Sequence, residues 1–201
     1  MKARGVSSFC LVVLTASAWS AAAGDPGWRV VRGEVRVVCP MTVGGSFEAR
    51  TGAVGGSLHG SGSGPSSLDG DLTVDLTTLD TGIGLRNDHL RGEYLEVGRG
   101  EGFDKAVLSE IHLAEVDSAS FQGRTTFTGT FLVHGTKHTI VGRAEIRREG
   151  TSVRVDATFP LTIADYGIPK PQYLGVGVKE QVEVRASLVA MPVAGSEGAG
   201  R

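Results

Sequence analysis

The 201 residues carry 20 Lys and Arg against 22 Asp and Glu, a formal charge of −2, with 30 glycines and only 7 prolines. A balance this even, with no basic stripe, argues against a nucleic-acid partner. The lack of any run of ~20 apolar residues argues against a spanning helix and against stable membrane insertion.

Abundant Gly, Thr and Val without amphipathic heptads point instead to an all-β protein built on tight turns. Lys2 and Arg4 precede the apolar run Phe9 to Ala18, and Ala21-Ala22-Ala23 supplies small residues for cleavage, so 1–23 reads as a secretory signal peptide. The remainder, 24–201, suits a single domain with a continuous core, expected in the periplasm or secreted. Cys10 leaves with the leader. Cys39 then has no intramolecular partner and reads as a small buried residue at a strand end, an intermolecular disulfide or a reactive thiol being the other readings.

The mature chain opens on a half-buried strand from Trp28 to Val38, in which Arg32, Glu34 and Arg36 alternate with Gly33, Val35 and Val37. Cys39-Pro40 ends it, because proline cannot donate to a ladder. Thr42 to Arg50 and Val54 to Gly60 are weaker strands interrupted by glycine pairs, and Ser61 to Ser67 reads as a flexible loop. Leu68 to Thr77 places Leu72, Val74 and Leu76 on one face against Asp69, Asp71, Thr73, Asp75 and Thr77. That acidic row lacks the glycine and terminal glutamate of a calcium loop and reads as a wet strand face.

Asp80 to Leu95 is the one stretch without strand alternation. Residues 85, 89 and 92 fall on one side of a helix and 83, 86, 87, 90 and 94 on another, which predicts a short helix of about three turns covering the β structure. Beyond it, strand follows strand. The inward faces read Val107, Ile111, Leu113; then Phe127, Gly129, Phe131, Val133; then Ile140, Gly142, Ala144, Ile146. Val153 to Ile163 and Val182 to Leu188 continue the pattern, and turns at Gly135-Thr136-Lys137 and Glu149-Gly150-Thr151 make the whole an antiparallel meander. About eight strands, each with one apolar face and with a single helix to cover them, close most economically into an antiparallel, lipocalin-like β-barrel with the short helix at its mouth. Gly129, Gly142, Ala144, Ala157 and Ala186 point inward and either leave room for a ligand or mark bends.

Thr81-Gly82 followed by Arg86, Asp88, His89 and Leu90 resembles the signature of the YceI-like family, usually Thr-Gly, then Arg-Asp, one residue and His-Leu, with Asn87 as an extra or substituted position. Gly129 to Lys137 is similar to that family's Gly-x-Leu-x-Ile-x-Gly-x-Thr-Lys turn, Ala164 to Ile168 resembles its late Phe-Gly-Ile motif, and the Trp28 strand with Gly45-Ser46-Phe47 corresponds to its opening. The chain departs from the pattern in Glu96 to Lys105, where the family has Phe-Phe-Asp and a proline, and in lacking the late Arg. Both departures touch the mouth. The resemblance implies a lipocalin-like barrel holding a long isoprenoid chain in its lumen, with the polar end near the mouth.

The expected function is therefore that of an exported, noncatalytic binder or carrier of an amphiphilic lipid, with no cofactor apart from that lipid. Expected lining residues are Leu72, Val74, Leu76, Phe127, Phe131 and Val133, then Phe159, Val182 and Val184, with Leu90 and Tyr94 from the helix. Arg86, Asp88 and His89 are assigned to a polar head group, Asp88 having a structural alternative as a helix cap paired with an arginine. Side chains at successive helix positions point about 100° apart, so these three do not converge for acid–base chemistry. His134 and His138 flank a turn and, with His112, raise a metal site that lacks an acidic or thiolate partner. The alternatives are a ligand-free structural barrel, or a metal-binding or small hydrolytic protein. The assembly is open, a homodimer included.

Overall fold

The computed structural model describes residues 27–60, 67–114, 122–173 and 176–193; the expected leader 1–23 and most of the 61–67 loop lie outside them. Nine stretches of alternating sequence become the strands of the main sheet because each has one face that must leave water and one that tolerates it. In chain order these elements are β1 (Gly27–Pro40), β2 (Ser46–Thr51), β3 (Val54–Gly60), β4 (Ser67–Asp75), β5 (Lys105–Leu113), β6 (Gly123–Val133), β7 (Thr136–Glu149) and β8 (Ser152–Thr162). A two-residue pair, β9 (Gln172–Tyr173) and β10 (Val176–Gly177), precedes the last strand, β11 (Gln181–Val193).

Each long strand pairs antiparallel with the next, and β11 returns to β1, so the sheet closes on itself. β2 and β3 follow opposite halves of β1 in one register, Val35 facing Thr51 and Arg29 facing Ser57. They are thus one strand of the barrel, interrupted at Gly52 and Ala53, and the closed barrel has eight strand positions.

Alternation survives almost everywhere. In β6, Phe127, Gly129, Phe131 and Val133 are buried between half-buried residues, as expected. β5 is the exception, because Ala106 and Leu108 face inward in its first half and Ile111 and Leu113 in its second. A bulge between Ser109 and His112 separates the halves, with Glu110 in the left-handed region at φ 50°. One extra residue exchanges the two faces, so Val107, expected inward with Ile111, pairs with outward Leu132 and points outward.

The inward glycines do not all leave space. A Cβ on Gly142 would lie 2.5 Å from the Phe127 ring, and one on Gly129 would lie 2.8 Å from Leu108 Cδ1. Each is a seat into which a neighbour's large side chain has already settled.

The roof of one end is a single connection between β4 and β5. β4 stops at Asp75, two residues earlier than its alternation suggests, because Asp75 Oδ1 accepts the Thr77 N–H at 2.9 Å and starts a 3-10 turn over Leu76–Thr78. The predicted helix follows as α1 (Gly84–His89), prolonged by a π turn over Leu90–Tyr94. The Leu76 N–H donates to the Asp104 carbonyl at 2.9 Å, so the connection leaves and rejoins the barrel at one point.

Candidate functional site

Beneath this roof the barrel holds a partly open cavity of about 180 Å³. Its walls come from β1 (Val35, Val37, Cys39), β2 (Phe47, Ala49), β4 (Leu72, Val74) and β5 (Ala106, Leu108). β6 adds Phe131 and Val133, β8 adds Phe159 and Leu161, and β11 adds Val182, Val184, Ala186 and Leu188. β7 contributes nothing, because Phe127 lies against Gly142 and Phe131 and Phe159 stack edge to face at 5.4 Å, which fills that side. The space is therefore off-centre. Leu76, Leu79, Leu90, Tyr94 and Leu95 close the top, with Ile163 and Val178 from the segment before β11.

The only polar side-chain atoms in this lining are the Cys39 thiol and the Tyr94 hydroxyl. Cys39 is buried at a strand end, and burial pushes its thiol up to about 11. Such a thiol stays protonated at neutral pH and behaves as a small apolar group.

Of the residues expected to line the lumen, Leu72, Val74, Leu76, Leu90, Tyr94, Phe131, Val133, Phe159, Val182 and Val184 all meet around this one space. Phe127 is buried but stands outside it, held in the Gly142 seat. The polar trio does not come together. Asp88 is exposed, makes no hydrogen bond or ion pair among the described residues, and is the fifth residue of α1 rather than its cap, which is Ile83. His89 is exposed with Glu93 3.9 Å away. Only Arg86 borders the cavity, its guanidinium carbon 4.4 Å from the centre of the Phe47 ring.

The residue that fixes the helix is Asn87, the extra or substituted position of the resembled signature. It is buried; its Oδ1 accepts from the Thr81 N–H (2.8 Å) and hydroxyl (2.7 Å), and its Nδ2 donates to Asp80 Oδ1 at 2.7 Å. Hydrogen bonds from Asn87 and from the Gly82 N–H hold the Asp80 carboxyl below its ordinary range. In the spacing Arg, acid, one residue, His-Leu, the acid's place falls on Asn87, not Asp88. The available signal was the helix register, which puts 87 with 90 and 94 on the inner face.

A second anchor joins the far end of the connection to the barrel. Glu96 (φ 49°) and His134 (φ 52°) are both left-handed and meet at 3.0 Å between Oε2 and Nε2. His134 Nδ1 faces the Tyr166 carbonyl at 2.9 Å, and Phe103 packs edge-on against the imidazole at 5.0 Å. The Tyr166 carbonyl can only accept, so His134 Nδ1 is the donor of that contact. Arg99, hydrogen-bonded to Glu96 at 2.9 Å, is the main reason the Glu96 carboxyl lies below its ordinary range, with His134 adding to it. His138 Nε2 lies 2.8 Å from the Asp165 carbonyl. The two histidines thus hold consecutive carbonyls of one turn, and His112 sits elsewhere beside Ser67. Among the described residues no three His, Cys, Asp or Glu gather as a metal would require. Tyr166 lies behind Phe131 with its hydroxyl buried and without a partner among the described residues.

A family model described as the YceI-like domain matches residues 28–190. No curated protein sequence matches the chain. Among solved structures, BcnA of Burkholderia cenocepacia superposes with a TM-score of 0.65 at 15% identity, covering 79% of this chain and 96% of its own. A polyisoprenoid binding domain from Saccharophagus degradans, implicated in plant cell wall breakdown, gives 0.63 at 16% identity, covering 83% and 98%. A Campylobacter jejuni YceI protein gives 0.51 at 13%, covering 69% and 80%. Identities this low speak for the fold alone.

Proposed function

The chain belongs to the YceI-like family, and from that premise we propose that it is an exported, noncatalytic protein that holds the hydrocarbon chain of an amphiphilic lipid, a polyisoprenoid by class, inside the barrel. The observation that carries this reading is the lumen itself, a partly open space whose walls are carbon but for one thiol and one phenol. Water gains nothing there, whereas each buried methylene is favoured by ~0.8 kcal/mol. The polyisoprenoid-binding description of the Saccharophagus neighbour supports the ligand class. Arg86, on the Phe47 ring at the edge of the cavity, suits the polar end of such a ligand.

Size refines the reading. An apolar cavity of about 150 Å³ stays dry and takes a benzene-sized guest, so the 180 Å³ seen here seats only part of a long chain. Phe127, seated against Gly142, fills its own side of the lumen, which leaves the roof as the wall that must give way. Binding is then expected to move α1 and the π turn outward.

Native mass spectrometry of gently purified protein tests the proposal directly: a co-purifying isoprenoid is expected. Ala186→Phe, which adds a ring to a cavity-lining position, and Phe131→Arg, which places a charge there, are both expected to remove it. Because Phe131→Arg also threatens the core, Ala186→Phe with an unchanged circular dichroism spectrum is the deciding variant. Full lipid occupancy in that variant would rule out the lumen as the site.

A further inference from the structure

Six large apolar side chains are exposed in the described residues, and three of them belong to the two segments that carry Phe47 and Arg86: Val43 at 66%, Ile83 at 49% and Leu85 at 68%. Val43 lies on the turn between β1 and β2, four residues before Phe47; Ile83 and Leu85 flank the start of α1, next to Arg86. These two segments meet where Arg86 lies over Phe47, and Phe47 is itself part of the cavity wall. The other three, Val31, Val141 and Met191, lie within the long strands β1, β7 and β11, Val141 beside a separate, polar surface groove. Single exposed apolar residues need no explanation, but a group at the edge of an apolar cavity does.

We propose that this edge is a membrane-contact surface, against which a phospholipid bilayer rests while lipid passes between the bilayer and the lumen. The proposal rests on the lumen being a lipid site. The geometry favours a bilayer over other occupants in two ways. The exposed apolar residues flank, in sequence, the Arg86 and Phe47 that meet at 4.4 Å, and Phe47 lines the space that the lipid must reach, so the path from a bilayer to the lumen is short. Arg86 also has no carboxylate partner among the described residues, which leaves its guanidinium donors free for a lipid phosphate. Three side chains with one cation give a shallow, reversible contact of the interfacial kind, in keeping with described residues that include no helix long and apolar enough to cross a membrane.

The test uses the purified full chain, vesicles of phosphatidylcholine with phosphatidylglycerol, and a fluorescent polyprenyl lipid as cargo. In the triple variant Val43→Ser, Ile83→Ser, Leu85→Ser, none of the altered side chains is buried or lines the cavity, so the barrel is expected to fold and to take up cargo presented in detergent as the unaltered protein does. Co-sedimentation with vesicles, and the rate at which cargo is extracted from them, are expected to fall together by about tenfold or more. Vesicle binding and extraction equal to those of the unaltered protein would overturn the proposal. So would concentration-dependent self-association that the triple variant abolishes while vesicle binding is absent in both, because the surface would then serve a second copy of the chain. Failure of the unaltered protein to take up detergent-borne cargo would instead strike at the lumen reading on which the proposal stands.

Discussion

Asn87 shows how one neutral side chain can matter more than the charged ones beside it. It answers the Thr81 amide and hydroxyl and the Asp80 carboxylate at once, buried itself although Asp80 is exposed. Asn87→Ala leaves those groups without their partner, at a cost of about 1–3 kcal/mol. Chemical denaturation should register that loss, and amide exchange should show it concentrated in residues 84–95. The sequence made this position hard to see because Asp88 and His89 carry the more conspicuous chemistry. Which of three neighbours points inward is decided by the helix phase, and the phase alone was enough to choose 87 over 88.

At the scale of elements, the roof has a fixed end at Asn87 and a titratable one at Glu96. The Arg99 hydrogen bond, and then His134, depress the Glu96 carboxyl, so the contact is complete above the ordinary carboxylate range and is lost as pH falls through the lowered value. Lipid exchange is therefore expected to speed up on acidification, and Glu96→Gln should exchange at the faster rate already at neutral pH; stopped-flow transfer of a fluorescent lipid measures both. The helix of about three turns was legible from its period, and so were nearly all the strands. Two local features were not. The Glu110 bulge reversed the faces of β5 because an inserted residue carries no mark in an alternating sequence. The turn at Leu76 ended β4 early because the Asp75 side chain competes with the ladder for the next N–H.

For the whole molecule, closure follows from counting apolar faces, and the antiparallel barrel was readable on that ground. The amount of free space was not. It depends on Phe127 falling into the Gly142 seat and Leu108 into that of Gly129, contacts between strands that the linear order does not reveal. Cys39 offers a global readout of the enclosed volume. Its thiol titrates near 9.0 when exposed and about 11 when buried, so between those values the unfolded chain gives up a proton that the folded chain keeps. Stability should therefore decline as pH rises from about 9 to about 11, and Cys39→Ala should show a shallower decline in denaturation midpoints over that interval.

The hydrogen bond from Leu76 to Asp104 closes the base of the whole β4–β5 connection. Everything between those two residues can then be regarded as a cassette, to be exchanged together with its other ties to the barrel, Asp80 to Arg50 and Glu96 to His134. Variation in cargo among related barrels has a natural place to accumulate there, and an engineer seeking a new guest would begin by transplanting that cassette.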